Sequence, residues 1–405
     1  MSKYRVALVG CGVMGRSHLN TLEKMQDFEV VGLCDVAAES IDKAREICGE
    51  VAGFNDFVKM YDELKPDMVT VATQTRGHHG PTVAALERGI SVLCEKPIAI
   101  DLQEADEMVQ AAEQSGAKLA INQQNHVNPA VRKGLQMVRE GVVGEVVTIR
   151  GRNKCGRKSG NEFTEMGTHV ADMMLCFGGA PEWCAGSVWW QGRLADVGDI
   201  MEAKEMSPKD RDSGLVMGER AVGQYGFANG VLGQVHFMGY EQQMSANYGV
   251  DVLGVEGQLA IRASNRLEHS LWHLPRPMEG LPSQFGDWQA VDLGEAQDED
   301  SVATMYRELL GAVAEDCEPP CSGREGRWAF EMVLGIYQSH RESGKRIDLP
   351  MPDRRHPLEQ ADRSRRHALV VIDDDLQRQL LAAVFQIDAA FFIDHLGEFD
   401  GHIAP

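Results

Sequence analysis

The chain has 405 residues, and its 40 Lys and Arg stand against 61 Asp and Glu, a formal net charge of −21 at pH 7. That surplus of carboxylates excludes nucleic-acid binding by counterion release, and no apolar run reaches the roughly 20 residues of a membrane span. At 43% hydrophobic and 25% charged residues the composition is that of a globular protein, and the length suits two domains or three small ones. Met1-Ser2-Lys3-Tyr4-Arg5 runs directly into a short apolar stretch, too short and wrongly flanked for a secretory signal, so a cytoplasmic location is expected. The 9 cysteines are scattered singly with no CxxC pair, which argues against structural zinc and requires no disulfide.

Residues 1–122 alternate strand and helix. Tyr4–Val9, Val30–Cys34, Met68–Ala72, Ser91–Cys94 and Leu119–Asn122 are short, apolar runs of the kind buried on both faces of a parallel sheet. Helical stretches lie between them, at Met14–Met25, Ala37–Cys48, His79–Arg88 and Leu102–Ser115. This order predicts an α/β fold, a doubly wound parallel Rossmann sheet with right-handed crossovers.

The first strand ends in Gly10-Cys11-Gly12-Val13-Met14-Gly15, a GxGxxG turn opening a helix. Gly10 serves the tight turn, Gly12 the approach of a pyrophosphate, and Gly15 close helix packing; the helix N-terminus offers unpaired N–H groups to the phosphates. Asp35 closes the second strand about 20 residues on, where a carboxylate accepts hydrogen bonds from a ribose diol. A carboxylate there repels a 2′-phosphate, and Val36-Ala37-Ala38 supplies no cation, so NAD is expected in preference to NADP.

Residues 123–357 change pattern. A helix near Pro129–Arg139 and the strand Glu145–Arg150 are followed by short strands at Ser187–Gln191, Gly223–Phe227, Val231–Met238, Val250–Leu253 and Gln258–Arg262. With few helices between them, they predict an α+β domain with a large, mostly antiparallel open sheet, covered on one face by helices near Val302–Glu315 and Glu325–Ser343. Beyond Pro357, residues 358–405 form a tail in which Leu376, Leu380, Val384, Ile387 and Phe391 predict one amphipathic helix.

Two constellations carry chemistry. Glu95-Lys96-Pro97 follows the Ser91–Cys94 strand, at the carboxyl edge where open α/β sheets bind ligands, and Pro97 stiffens the loop bearing the ammonium. In Glu165-Met166-Gly167-Thr168-His169-Val170-Ala171-Asp172, helical spacing places Glu165, His169, Asp172 and Cys176 on one face, an imidazole flanked by carboxylates. No third ligand has convincing metal spacing, so no metal is expected.

Taken together, Gly10-Cys11-Gly12-Val13-Met14-Gly15, Asp35, Glu95-Lys96-Pro97 and Gly167-x-His169-x-x-Asp172 resemble the Gfo/Idh/MocA oxidoreductases, the family of glucose–fructose oxidoreductase and inositol dehydrogenases. The likeness runs over residues 3–357. It implies hydride transfer between nicotinamide and a secondary alcohol of a sugar, polyol or related cyclic alcohol. By resemblance, Lys96 and His169 are catalytic, with Glu165 and Asp172 beside them. Thr73, Gln74, His78, Glu95, Asn122 and Gln124 lie along the dinucleotide, and Asn125 and His126 approach the substrate. Three departures concern the substrate: Glu165 stands where Asp is common, Gln74-Thr75 replaces Pro-Asn, and Asn125-His126 replaces a frequent Arg. A homo-oligomer, dimer or tetramer, is implied. Two other readings stay open at this point: an enzyme of this fold that retains NAD through a transient oxidation, giving epimerisation, elimination or glycoside cleavage, and a nucleotide-binding sensor without catalysis.

Overall fold

Six short strands build the first sheet: β1 (Tyr4–Val9), β2 (Phe28–Cys34), β3 (Ala52–Phe54), β4 (Met68–Val71), β5 (Ser91–Cys94) and β6 (Leu119–Ile121). They come from a computed structural model that describes residues 3–153, 161–203, 214–237, 247–263, 267–275, 288–298 and 300–359. By its contacts the chain divides into Met1–Leu358 and Glu359–Pro405, and the first unit is the one described. The expected tail helix lies outside the described residues.

All six strands are parallel, in the order β3-β2-β1-β4-β5-β6. Helices α1 (Val13–Leu22), α2 (Ala38–Cys48), α3 (Phe57–Leu64), α4 (His79–Leu86) and α5 (Leu102–Ser115) connect them. β4 and β5 are buried at every residue, as a sheet covered on both faces requires. The order reverses between β1 and β4, and at such a switch point a crevice opens beyond the carboxyl ends of the strands.

β3 and α3 are additions to the sequence expectation. β3 is only three residues, Ala-Gly-Phe, at an edge, too short to show a period. α3 is eight residues long, started by the Asp56 carboxylate, which accepts from the N–H groups of Val58 and Lys59 at 2.8 and 3.2 Å.

The remaining elements are α6 (Pro129–Arg139), β7 (Val146–Arg152), α7 (Gly167–Gly178), β8 (Pro181–Trp190), β9 (Arg193–Leu194), β10 (Ile200–Glu202), β11 (Leu215–Met217), β12 (Arg220–Phe227), β13 (Leu232–Phe237), β14 (Gly249–Gly254), β15 (Gln258–Arg262), β16 (Leu271–Leu274), β17 (Gln289–Ala290), α8 (Ser301–Glu315), α9 (Gly323–Arg341) and β18 (Ile347–Asp348). β10 and β11 pair with each other. The others form one large sheet, ordered β17-β16-β15-β14-β7-β13-β12-β8-β18, with β9 beside β8. Every pairing in it is antiparallel except β13 with β7. Exposed and buried residues alternate along β13, so one face meets α7 and α9 and the other is open.

α8 departs from expectation. Its apolar stripe is expected to cover the large sheet; instead it packs on α1 and β5 of the first sheet. A stripe reports that a face is buried and not which sheet receives it. The consequence is a buried hydrogen-bond chain linking distant parts of the sequence. The Tyr306 hydroxyl lies 2.7 Å from Thr70 Oγ1 and 2.9 Å from His18 Nδ1, and His18 Nε2 lies 3.0 Å from Glu95 Oε1. Among the described residues, no helix is long and apolar enough to cross a membrane.

Candidate active site

The glycines of the first turn have three separate structural reasons. Gly10 has φ +94°, and a Cβ there would stand 2.6 Å from the backbone of Ala72. A Cβ on Gly15 would stand 1.9 Å from the carbonyl oxygen of Gly10, so the helix lies directly against the turn. At Gly12 a Cβ would meet nothing within 4 Å, because this residue borders open space. Gly12 is also the N-cap of α1, so the first-turn N–H groups face that space.

That space is a cleft of about 860 Å³. Of the residues expected at the dinucleotide, Gly10, Gly12, Val13, Met14, Asp35, Thr73 and Gln74 line it. Asp35 is fixed at the end of β2: its carboxylate accepts from the N–H groups of Cys11 and Ala37, both at 2.8 Å. The bare Gly12 edge, the free helix end and the anchored Asp35 fit a dinucleotide.

Sequence reasoning missed Arg16, Ser40, Asn55, Phe57 and Arg76 on the same wall. Arg16 follows Gly15 directly and reaches back to the carbonyl of Cys11 at 2.8 Å. The cleft therefore holds two guanidinium groups that Val36-Ala37-Ala38 does not supply. The signal for Arg16 was its place in the first turn of the phosphate-binding helix.

The other expected residues stand elsewhere. His78 is buried with Nδ1 2.9 Å from the Pro97 carbonyl and Nε2 3.2 Å from that of Thr73, so it braces two loops. Burial lowers its pKa, against the raising effect of the two carbonyls, and a neutral ring donates to only one of them at a time. Gln124 is exposed on the turn Gln124–Val127. Asn125 is buried and donates to the Tyr248 hydroxyl at 2.6 Å.

Glu95, Lys96 and Asn122 stand at the carboxyl ends of β5 and β6. Burial by itself would raise the Glu95 carboxyl, but His18 (by hydrogen bond and charge), the Lys96 charge and the Asn122 amide, donating at 2.8 Å, bring it down to about 2. Glu95 is therefore a fixed anion beneath the loop. Asn122 Oδ1 is buried with no hydrogen-bond partner among the described residues, an acceptor left for an amide N–H. Lys96, joined to Pro97 by a cis peptide bond, donates from Nζ to Glu165 Oε2 at 2.7 Å.

Glu165 lies in a π-helical turn, Glu162–Met166, that runs into α7. Such turns interrupt α-helical spacing and recur at functional sites. The expected common face is split by it. Glu165 turns to Lys96, while His169, buried in the first turn of α7, begins regular spacing. Asp172 is a further correction. It accepts from neither side of the expected stripe: its Oδ1 lies 3.0 Å from His126 Nδ1 and 3.3 Å from Cys321 Sγ. The turn Gln124–Val127 packs beside α7 and brings His126 there, so the Asp172 carboxylate pairs with His126. Burial would lower the His126 pKa, but the Asp172 charge and hydrogen bond raise it well above its ordinary value. Trp189, Trp190, Trp272 and Trp288 lie on or beside the large sheet and do not line the cleft.

Residues 4–123 match the model of an oxidoreductase family with an NAD-binding Rossmann fold, Gfo/Idh/MocA. The D-apiose dehydrogenase of Paraburkholderia graminis is 25% identical over 367 residues, 86% of this chain and 90% of that one. The D-glucoside 3-dehydrogenase of Escherichia coli is 30% identical over 194 residues, 44% of this chain and 55% of that one. The solved structure of a levoglucosan dehydrogenase in complex with NADH superposes with a TM-score of 0.70 at 19% identity, over 86% of this chain and 100% of that one, a likeness of fold. The family likeness is therefore that of the first domain, residues 4–123, to the Gfo/Idh/MocA oxidoreductases, with one relative similar at 25% identity over most of the chain.

Proposed function

We propose that the chain is an NAD-dependent dehydrogenase acting on a secondary alcohol of a sugar, polyol or related cyclic alcohol. The observation that carries this reading is the Lys96–Glu165 ion pair, 2.7 Å long, with His169 four residues beyond Glu165. It joins the carboxyl edge of the first sheet to the helix leading away from it.

When bound in the cleft, the dinucleotide supplies the hydride acceptor. The residues that hold it are the Gly10–Gly15 turn and the α1 N-terminus at the phosphates, Asp35 at the ribose and Asn122 toward the amide end. Asp35 supports a preference for NAD, since its carboxylate repels a phosphate ester on the 2′-oxygen. The chain's own chemistry is the management of one proton and one developing charge. His169 accepts the hydroxyl proton as general base. Lys96, held by Glu165, stabilises the alkoxide character that builds as the C–H bond breaks. Glu165 sets the ammonium in place, and its methylene beyond Asp extends its reach toward the substrate's other hydroxyls. The open face of the large sheet supports a homo-oligomer.

The test is NAD-linked absorbance against a panel of monosaccharides, inositols and glycosides, with wild type beside Lys96→Ala and His169→Ala. Turnover by wild type on a polyhydroxy substrate, lost in both variants while dinucleotide binding persists, supports the reading. Near-normal turnover in Lys96→Ala overturns it. Protein that carries its own dinucleotide and turns over without added NAD reassigns the chain to transient-oxidation chemistry.

A further inference from the structure

A second cluster stands behind the expected site. His126 Nδ1, an Asp172 carboxylate oxygen and Cys321 Sγ lie within 4.8 Å of one another, and Cys176 Sγ lies 3.6 Å from the same His126 nitrogen. These groups come from three parts of the chain: the turn Gln124–Val127, α7 and the segment entering α9. We propose that His126, Asp172, Cys176 and Cys321 form a structural site for a borderline-soft divalent cation, zinc in particular.

Four observations support it. The donor set of one imidazole, one carboxylate and two thiols is the mixture zinc accepts, and not one that calcium or magnesium takes up. His126, Asp172 and Cys321 are close enough to share one ion, with contacts of 3.0 Å (N to O) and 3.3 Å (S to O) near the roughly 3.3–3.6 Å edges of a zinc tetrahedron. Cys176, 3.6 Å from His126 Nδ1 but outside that set, would close in as the fourth donor on binding. Asp172 is fully buried, and its second oxygen, Oδ2, has no hydrogen-bond partner among the described residues. His126 is the charge that faces this carboxylate in the structure, and Oδ2 remains an enclosed acceptor that a bound cation would engage. Finally, the His126 side chain is 19% exposed, which leaves a path for an ion to enter.

Binding balances as follows. The two thiols release their protons to solvent and become thiolates, and His126 binds through Nδ1 as the neutral ring, releasing its proton if charged. Zinc with two thiolates and one carboxylate leaves a net charge of −1. No electrons move. The ion would tie the turn after Asn122 to α7, one turn beyond His169, and to the start of α9. It would hold both partners of the catalytic cleft without touching substrate.

The experiment uses the full chain and reads the metal, not turnover. Wild type incubated with zinc, then desalted, is measured by elemental analysis and by competition with a chromophoric chelator. Cobalt(II) is used in parallel, because thiolate ligands give a ligand-to-metal charge-transfer band. The expected result is one zinc per chain and a cobalt–thiolate band. The band should weaken in Cys176→Ser and vanish in Cys321→Ser, and zinc should protect both thiols from alkylation in wild type. The thiol-protection measurement needs no variant, so it stands if Cys321→Ser fails to fold. Folded wild type that retains no zinc, gives no thiolate band and alkylates equally with and without zinc overturns the proposal. Loss of alcohol oxidation with zinc still bound leaves this site standing and removes only the dehydrogenase reading.

Discussion

The Lys96 ammonium donates to the Glu165 carboxylate across 2.7 Å, between residues 69 apart in sequence. Both side chains are largely shielded, at 16% and 9% exposed, so the pair is screened little by solvent. Removing either partner leaves the other buried and uncompensated. We expect Lys96→Ala to lower kcat on the order of 10²–10³-fold, the scale of a lost charge stabiliser. Glu165→Gln should lower kcat less, since the ammonium remains but is held by a neutral amide. Dinucleotide affinity, measured by fluorescence titration, should be nearly unchanged in both. A Glu165→Gln protein with wild-type kcat would remove Glu165 from the positioning of Lys96.

Gly12 and Gly15 make a contrasting pair. A Cβ at Gly12 meets open space, whereas one at Gly15 stands 1.9 Å from the Gly10 carbonyl oxygen. Gly12→Ala should therefore fold with an unchanged melting temperature and lose dinucleotide affinity by about tenfold or more, roughly 1.4 kcal/mol. Gly15→Ala should lose stability itself, by about 3 kcal/mol, because backbone must move. Thermal melts and titrations on the two variants decide it. Equal melting temperatures for the two would contradict the separate roles.

Asp35 is anchored by two backbone N–H groups, but Arg16 and Arg76 share its cleft. In the proposed NAD enzyme, selectivity would then rest on the carboxylate alone. Asp35→Ser should raise kcat/KM with NADP relative to NAD by about tenfold or more, since the guanidinium groups remain to receive a phosphate and the repelling charge is gone. A cofactor ratio that does not move would show that another group sets the choice.

The parts of this molecule readable from sequence are those where one residue type is forced by local geometry. The GxGxxG turn is one, since each glycine answers a close approach, and buried β4 and β5 are another. Features made by tertiary contact were not readable. β3 is too short to show a period, and α8 carried an apolar stripe without an address. The Glu165–His169–Asp172 spacing suggested one shared face because an α-helical period was assumed. The π turn at Glu162–Met166 breaks that period, and His126 arrives from another segment to take Asp172. No local pattern announces either event.

Tyr306 tests the chain of buried polar groups beneath the Lys96 loop. Its hydroxyl bridges Thr70 and His18, and His18 passes the connection to Glu95. Tyr306→Phe keeps the ring but leaves His18 Nδ1 and Thr70 Oγ1 without that partner. The expected cost is about 1–3 kcal/mol of folding stability by chemical denaturation. Because His18 also supports the Glu95 anion, kcat should fall more than KM changes. Unaltered stability would mean that water replaces the hydroxyl without loss.

His356 gives a pH-dependent prediction independent of the active site. It is 4% exposed, and its Nδ1 accepts the N–H of Leu358 at 3.2 Å, a bond only the unprotonated nitrogen can make. Burial lowers its pKa from 6.5 to about 4. The folded state thus resists a proton that the unfolded chain accepts below about 6.5. The contribution to stability is present above that pH and is lost progressively as pH falls through about 4, by on the order of 3 kcal/mol. His356→Gln removes the titrating group, so the stability difference between wild type and variant should shrink as pH drops from 7 to 4.5. Urea unfolding at several pH values in that window measures it directly. Parallel curves for the two proteins would show that the ring is protonated in the fold with no penalty, and so is not enclosed.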